Sequence, residues 1–221
     1  MQISRKWEDF LFSTSKDVLA FCKPLFEKTI IDYFDYQLCD NSGSIFILST
    51  HPQFIKEHFT QELYPTAEES LAFISCGHRN TFMSEAAGLP GGASDKNPKK
   101  YEDNIRLAKA HKVHHRLYIV DARGDYFRMC GFGVSLDDSS AFEFYLNHLA
   151  LLERFILYFE WKARDLIYNP APNHKLILPS YLDAGLHENL NYRFSGQHQS
   201  RDPVFAAERF FIELENKAMT F

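Results

Sequence analysis

The chain has 221 residues, 45% hydrophobic and 15% aromatic, with 21 Phe and 11 Tyr. That is enough apolar material for one large domain, or one domain with a small appendage, and too much for a disordered chain. The formal net charge of −5 argues against a free-standing nucleic-acid binder, and no uncharged run is long and apolar enough to span a bilayer. The first residues carry charges of both signs and no apolar signal core. Cys22, Cys39, Cys76 and Cys130 lie far apart with no C-x-x-C pair. The expectation is a cytoplasmic protein with reduced, mostly buried thiols.

In chain order, Trp7, Phe10, Leu11, Val18, Leu19, Phe21, Cys22, Leu25 and Phe26 recur at helical steps. They predict an opening helix, with Ser13–Ser15 as a break and Pro24 either kinking it or starting a second helix. Residues 31–39 are aromatic and β-branched. Phe34, Tyr36 and Leu38 share one face of this strand, and Tyr33, Asp35, Gln37 and Cys39 the other. A turn cluster at 40–43 leads to a returning strand at 44–49, which makes a hairpin. Thr50-His51-Pro52 opens a helix near 52–60 whose inward stripe is Phe54, Ile55, His58 and Phe59. Thr66 and Glu69 have capping-box spacing for another short helix.

The glycine- and proline-rich stretch 84–100 reads as a loop, or as a cover over a pocket. Residues 101–112 form a polar helix. A second hairpin pairs 115–121 with 126–134. A long helix starts at the Ser140–Glu143 capping box and runs to about 168, before Pro170 and Pro172. Asp137 and Asp138 suit its N-terminal end. The remainder is less regular, and Arg209–Leu214 fits either a helix or a strand. Two antiparallel hairpins among helices give an α+β fold. Its central antiparallel sheet is flanked by helices, in the α/β/α layout of PAS- and GAF-like sensory domains.

The chemistry-bearing motifs are weak. His111, His114 and His115 are the densest histidine group, but no nearby carboxylate completes a metal set. Cys76-Gly77-His78 lacks an orienting group and an oxyanion hole, and no G-x-S-x-G elbow exists. Gly88–Ser94 lacks G-K-[ST]. Gly131-Phe132-Gly133 lies within a strand, where a bend or close packing against another backbone is the simple reading. None of these indicates an enzyme, a metal or a cofactor. The aromatics on both faces of the hairpins fit a plain core. They also fit an apolar cavity with a few hydroxyl and imidazole groups, as a small-molecule site has.

Phe-Asp-Tyr at 34–36, Ile-Leu-Ser-Thr-His-Pro at 47–52 and Phe-Ile-Lys-Glu-His-Phe at 54–59 resemble the sensory half of LuxR-type transcription regulators. So do Asn-His-Leu-Ala-Leu-Leu-Glu-Arg-Phe-Ile-Leu-Tyr-Phe at 147–159 and Ala-Arg-Asp-Leu-Ile at 163–167. The resemblance covers roughly 15–170. It implies an autoinducer-binding domain at 1–170, with 171–221 a C-terminal extension or linker that lacks a reader-helix pattern. It further implies a small apolar or acylated signal molecule, a homodimer, and DNA contact only through a helix-turn-helix that this sequence does not show.

The family's Trp and Tyr, four residues apart, fall on Phe54 and His58, and no Asp occupies the Tyr64–Ala67 region where the family has one. The expected pocket is lined by Tyr36, Phe46, Phe54, His58, Tyr64 and Phe82. The alternative is a ligand-free interaction or dimerisation domain of the same fold. On the long helix, Phe142, Leu149, Ile156, Phe159 and Ala163 form the expected sheet-facing stripe. Leu151, Phe155, Tyr158 and Trp161 lie off it and are expected to pair with a second copy.

Overall fold

The computed structural model describes residues 5–40, 44–64, 79–83, 98–123, 126–135, 140–168, 175–177 and 210–211. Helix α1 (Arg5–Phe26) leads into strands β1 (Tyr33–Asp40) and β2 (Ser44–Ser49), then helix α2 (Pro52–Thr60). Next come β3 (Arg79–Met83), α3 (Pro98–Ala110), β4 (His114–Arg123) and β5 (Tyr126–Val134). Helices α4 (Ser140–Lys162) and α5 (Arg164–Tyr168) precede the short strand β6 (Lys175–Ile177). The helix expected at 66–76, the Cys76-Gly77-His78 motif and the glycine-rich loop lie wholly or almost wholly outside the described residues.

One six-stranded sheet has the order β3-β4-β5-β1-β2-β6. Every neighbouring pair is antiparallel, so the fold is α+β with helices on both faces. Both expected hairpins form. Two strands escaped the sequence reading. β3 pairs with β4, and β6, from the segment expected as an extension, pairs with β2. Each spans five residues or fewer, too short for a period-2 pattern to stand out.

The pleat sorts side chains as the alternation in β1 predicts. Phe34, Tyr36, Phe46, Leu48, Leu117, Ile119, Cys130 and Phe132 join the core under α4. Tyr33, Cys39, Ile45 and Ile47 join a second core with Phe54, Ile55, Phe59, Leu107 and Val113, under α2 and α3. Helix α1 closes the side of both layers. Trp7 and Leu11 enter the second core, while Val18, Cys22 and Leu25 enter the first. It is one continuous helix. The hydroxyls of Ser13, Thr14 and Ser15 donate to carbonyls three or four residues back, so these residues stay helical. Pro24 sits in the last turn, so it removes one hydrogen bond of the ladder only two residues before the helix ends. Cys22, Cys39 and Cys130 are buried, and none of the three is in a disulfide.

Helix α4 corrects the expected dimer surface. Leu151, Phe155 and Tyr158 are buried within the subunit. Phe155 packs on Phe34 and Phe132 of the sheet, with ring centroids 5.1 and 6.0 Å apart. Phe210, also from the C-terminal segment, stacks on Tyr158 at 5.2 Å and contacts Phe155 at 5.5 Å. Helix α4 is covered over a broad arc. Phe155 lies four residues before Phe159, on the same face, and the sheet covers that face while Phe210 covers the Tyr158 side. His148 leaves helical geometry (φ −122°, ψ 15°), and its Nδ1–H donates to the Phe144 carbonyl at 2.8 Å, which kinks the helix before this buried half. The C-terminal half of α1 also contributes cover, with Phe21 meeting Phe159 edge-on at 6.2 Å.

Interior strands of the sheet carry a buried charged group on this layer. Arg128 on β5 donates to Asp121 on β4 at 3.0 Å and to Glu160 on α4 at 2.8 Å. The Tyr36 hydroxyl donates to the same Glu160 oxygen at 3.0 Å. Burial opposes the charge on Arg128, but Cys130, Glu160 and Asp121 outweigh it and keep the guanidinium protonated. Burial, and then Glu160, push the Tyr36 hydroxyl up.

Candidate functional site

The layer between the sheet and helices α2 and α3 contains an island of polar side chains in an apolar setting. Asp35 on β1 is completely buried. Its carboxylate accepts Tyr33 O–H at 2.6 Å and Gln37 Nε2–H at 2.7 Å. Burial raises its pKa. Those two hydrogen bonds and the Arg116 charge work in the opposite direction without reversing the shift. The same burial, reinforced by Asp35, raises Tyr33.

Arg116 on β4 is 4% exposed. One end of its guanidinium donates to Tyr118 Oη at 3.1 Å and the other to Asn104 Oδ1 of α3 at 2.6 Å. Its plane also lies 5.4 Å from the centre of the Phe54 ring, a cation–π distance. Asn104 Nδ2 reaches His58 Nε2 on α2 at 3.1 Å and the Leu63 carbonyl at 3.2 Å. A donating amide makes His58 Nε2 the acceptor and puts the imidazole proton on Nδ1.

Burial, then the Arg116 and Lys100 charges, lower the His58 pKa to about 3. His58 is therefore neutral in the fold at ordinary pH. A second link between α2 and α3 runs from His111 Nε2–H to Glu57 Oε2 at 3.1 Å. Hydrogen bonds from Gln53 and His111 hold Glu57 below its usual value.

Glycines on β5 make room for this island. Gly131 faces Asp35 across the β1–β5 pair, and Gly133 faces Tyr33. A Cβ on Gly131 would overlap Asp35 Oδ2 and approach Tyr118 to 2.9 Å. The Gly-Phe-Gly pattern thus clears space for cross-strand side chains, where close packing against backbone was the sequence expectation. Gly131→Ala should cost about 1–3 kcal/mol, the usual penalty for overpacking, measurable as a lower urea midpoint.

The pH dependence follows from His58. Its unfolded pKa is near the ordinary 6.5 and its folded value is about 3. Between those values the unfolded chain binds the extra proton, so stability is full above 6.5 and falls as pH drops toward 3. His58→Gln should flatten that part of the stability–pH curve, measured by denaturant titration at each pH. An unchanged slope would show that His58 is protonated freely in the fold.

The expected pocket residues divide between two places. Phe54, His58 and Tyr64 come together on the α2–α3 side. Phe54 meets Tyr33 edge-on at 5.7 Å, and Tyr64 stacks on Phe59 at 5.2 Å. Tyr36 and Phe46 lie on the opposite face, against Glu160 and Phe10 respectively. The sheet separates them, so the six do not line one cavity. Phe82 lies on β3, where its backbone pairs with Tyr118.

Sequence reasoning counted Tyr118 among the hairpin aromatics that fit a core or a cavity, and missed Asp35, Arg116 and Asn104 as site residues. Asp35 and Arg116 did leave a signal, each a charge inside a strand flanked by aromatic or aliphatic residues. Of the three histidines, His111 meets Glu57, whereas His115, at a bulge with φ 43°, packs on Phe142 and has its ring 6.4 Å from that of His114. Among the described residues, no three His, Cys, Asp or Glu side chains gather as a metal set. No described helix is long and apolar enough to cross a membrane.

Beside the island, a groove of about 540 Å³ lies between α3 and the start of β4, with Arg116 among its lining residues. That volume is in the range of ligand pockets.

No family model matches the sequence, and no curated protein is significantly similar to it. The solved structures that resemble the fold include the following two. One is SdiA in complex with octanoyl-rac-glycerol, at 11% identity and TM-score 0.44, covering 76% of this chain and 71% of that one. The other is the VqsR LBD domain from Pseudomonas aeruginosa, at 9% identity and TM-score 0.39, covering 71% of this chain and 96% of that one.

Proposed function

We propose that this domain is a receptor for a small apolar or acylated signal molecule, the sensory part of a LuxR-like transcription regulator. The observation that carries the reading is the island of Asp35, Arg116, Asn104 and His58, built into an apolar layer beside a groove of ligand size. Burying so many polar groups is costly unless each is satisfied. A domain whose interior served packing alone would gain by making them apolar. The sequence segments at 34–59 and 147–167 supply the regulator part of the reading.

Binding suits the site better than catalysis. Its titratable groups are tied to one another, and Asp35 is enclosed. Assembly as a homodimer, a cytoplasmic setting and action on DNA through a helix-turn-helix belong to the same proposal. The dimer surface is no longer the Phe155–Tyr158 face.

Native mass spectrometry of the purified protein, with and without organic extraction, tests the receptor reading. The expected result is a retained small molecule whose removal lowers the thermal midpoint. Protein that carries nothing, and that no acylated compound stabilises, would favour the ligand-free interaction domain.

A further inference from the structure

The groove between α3 and β4 is lined by more cations than carboxylates. Tyr101, Ile105 and Val113 supply apolar lining. Arg106, Lys109 and Arg116 also line it, against the single carboxylate of Glu102. The chain as a whole carries −5, so a local excess of cations around an apolar trough runs against its average. Arg106 and Lys109 are exposed at the rim, while Arg116 is buried. The arrangement pairs an apolar channel with a positive field, which concentrates anions. A guanidinium suits a carboxylate through charge-assisted hydrogen bonds.

We propose that this groove binds an amphiphilic carboxylate, with its acyl chain along Tyr101, Ile105 and Val113 and its anionic head toward Arg106, Lys109 and Arg116. The proposal rests on the receptor reading and names the class of molecule received. It separates a free acid from a neutral ester or lactone of the same chain. The neutral compound gains the apolar contacts but lacks the charge–charge attraction to the cations. Arg106 also pairs with Asp103 on its own helix, and that surface pair adds little to the fold. Both rim residues are exposed on α3, and an unchanged circular dichroism spectrum is the folding control for reversing them.

The test is titration calorimetry with decanoate and methyl decanoate on the wild type, on R106E/K109E and on Ile105→Trp, which fills the trough. Decanoate should bind the wild type more tightly than its methyl ester. The double reversal should weaken decanoate by roughly tenfold and leave the ester unchanged, and Ile105→Trp should weaken both. Equal affinity for acid and ester would overturn the anionic head, and decanoate binding that ignores all three substitutions would place the ligand elsewhere. Should native mass spectrometry find a bound neutral molecule while decanoate fails, the receptor reading stands and this inference falls. If neither technique detects any ligand, both fall.

Discussion

Phe155→Ala should destabilise the domain by about 3–5 kcal/mol, the range for deleting a buried aromatic ring. Phe155 is 0% exposed and touches Phe34, Phe132, Phe159 and Phe210. These partners come from β1, β5, α4 and the C-terminal segment, so no single neighbour can move to fill the void. Charged residues at both Phe155 and Tyr158 should abolish folding altogether, because a charge there would be buried without a partner. Circular dichroism and a urea midpoint decide the matter. A well-folded, soluble double variant would mean that this face is solvent-accessible and free to form the dimer interface that the sequence suggested.

The second large effect is expected at Arg128. Arg128→Met keeps much of the side-chain volume but leaves the buried carboxylate of Asp121 and the partly buried one of Glu160 without the guanidinium between them. Removing one member of a buried ion pair costs about 3–5 kcal/mol. Replacing the whole group tests the cause. Arg128→Met with Asp121→Asn and Glu160→Gln should recover most of the loss, since no uncompensated charge remains. The readout is denaturant unfolding of the wild type, the single and the triple variant. A triple variant as unstable as the single one would assign the loss to packing around the Arg128 stem.

These effects show where local pattern and tertiary context part. Alternation in β1 was enough to sort Phe34 and Tyr36 from Tyr33 and Asp35, because a strand's side-chain period is fixed by its pleat. The same knowledge separates Tyr36 from Phe54, as their facing cores do. Grouping both into one pocket overlooked that a sheet divides two layers. In α4 the periodicity was correct in kind but the buried stripe was drawn too narrow: Phe155 lies four residues before Phe159 on one face, and Leu151 and Tyr158 are buried beside it. A helical repeat gives the faces of a helix, and not how many of them the sheet and the C-terminal segment cover.

By itself, the sequence determined the two hairpins, most of the helices, the α+β class and the hydrophobic faces of the strands. These depend on interactions within a few residues: side-chain alternation, helical repeats, and the turns that join them. Only the tertiary structure decided what covers each face and which polar groups meet. Arg116, Asn104 and His58 are separated along the chain but join through hydrogen bonds across β4, α3 and α2. Phe210 reaches back across more than fifty residues to cover Phe155 and Tyr158. Contacts between distant segments depend on how whole layers pack, and a pattern read along the chain carries no record of which layer lies opposite.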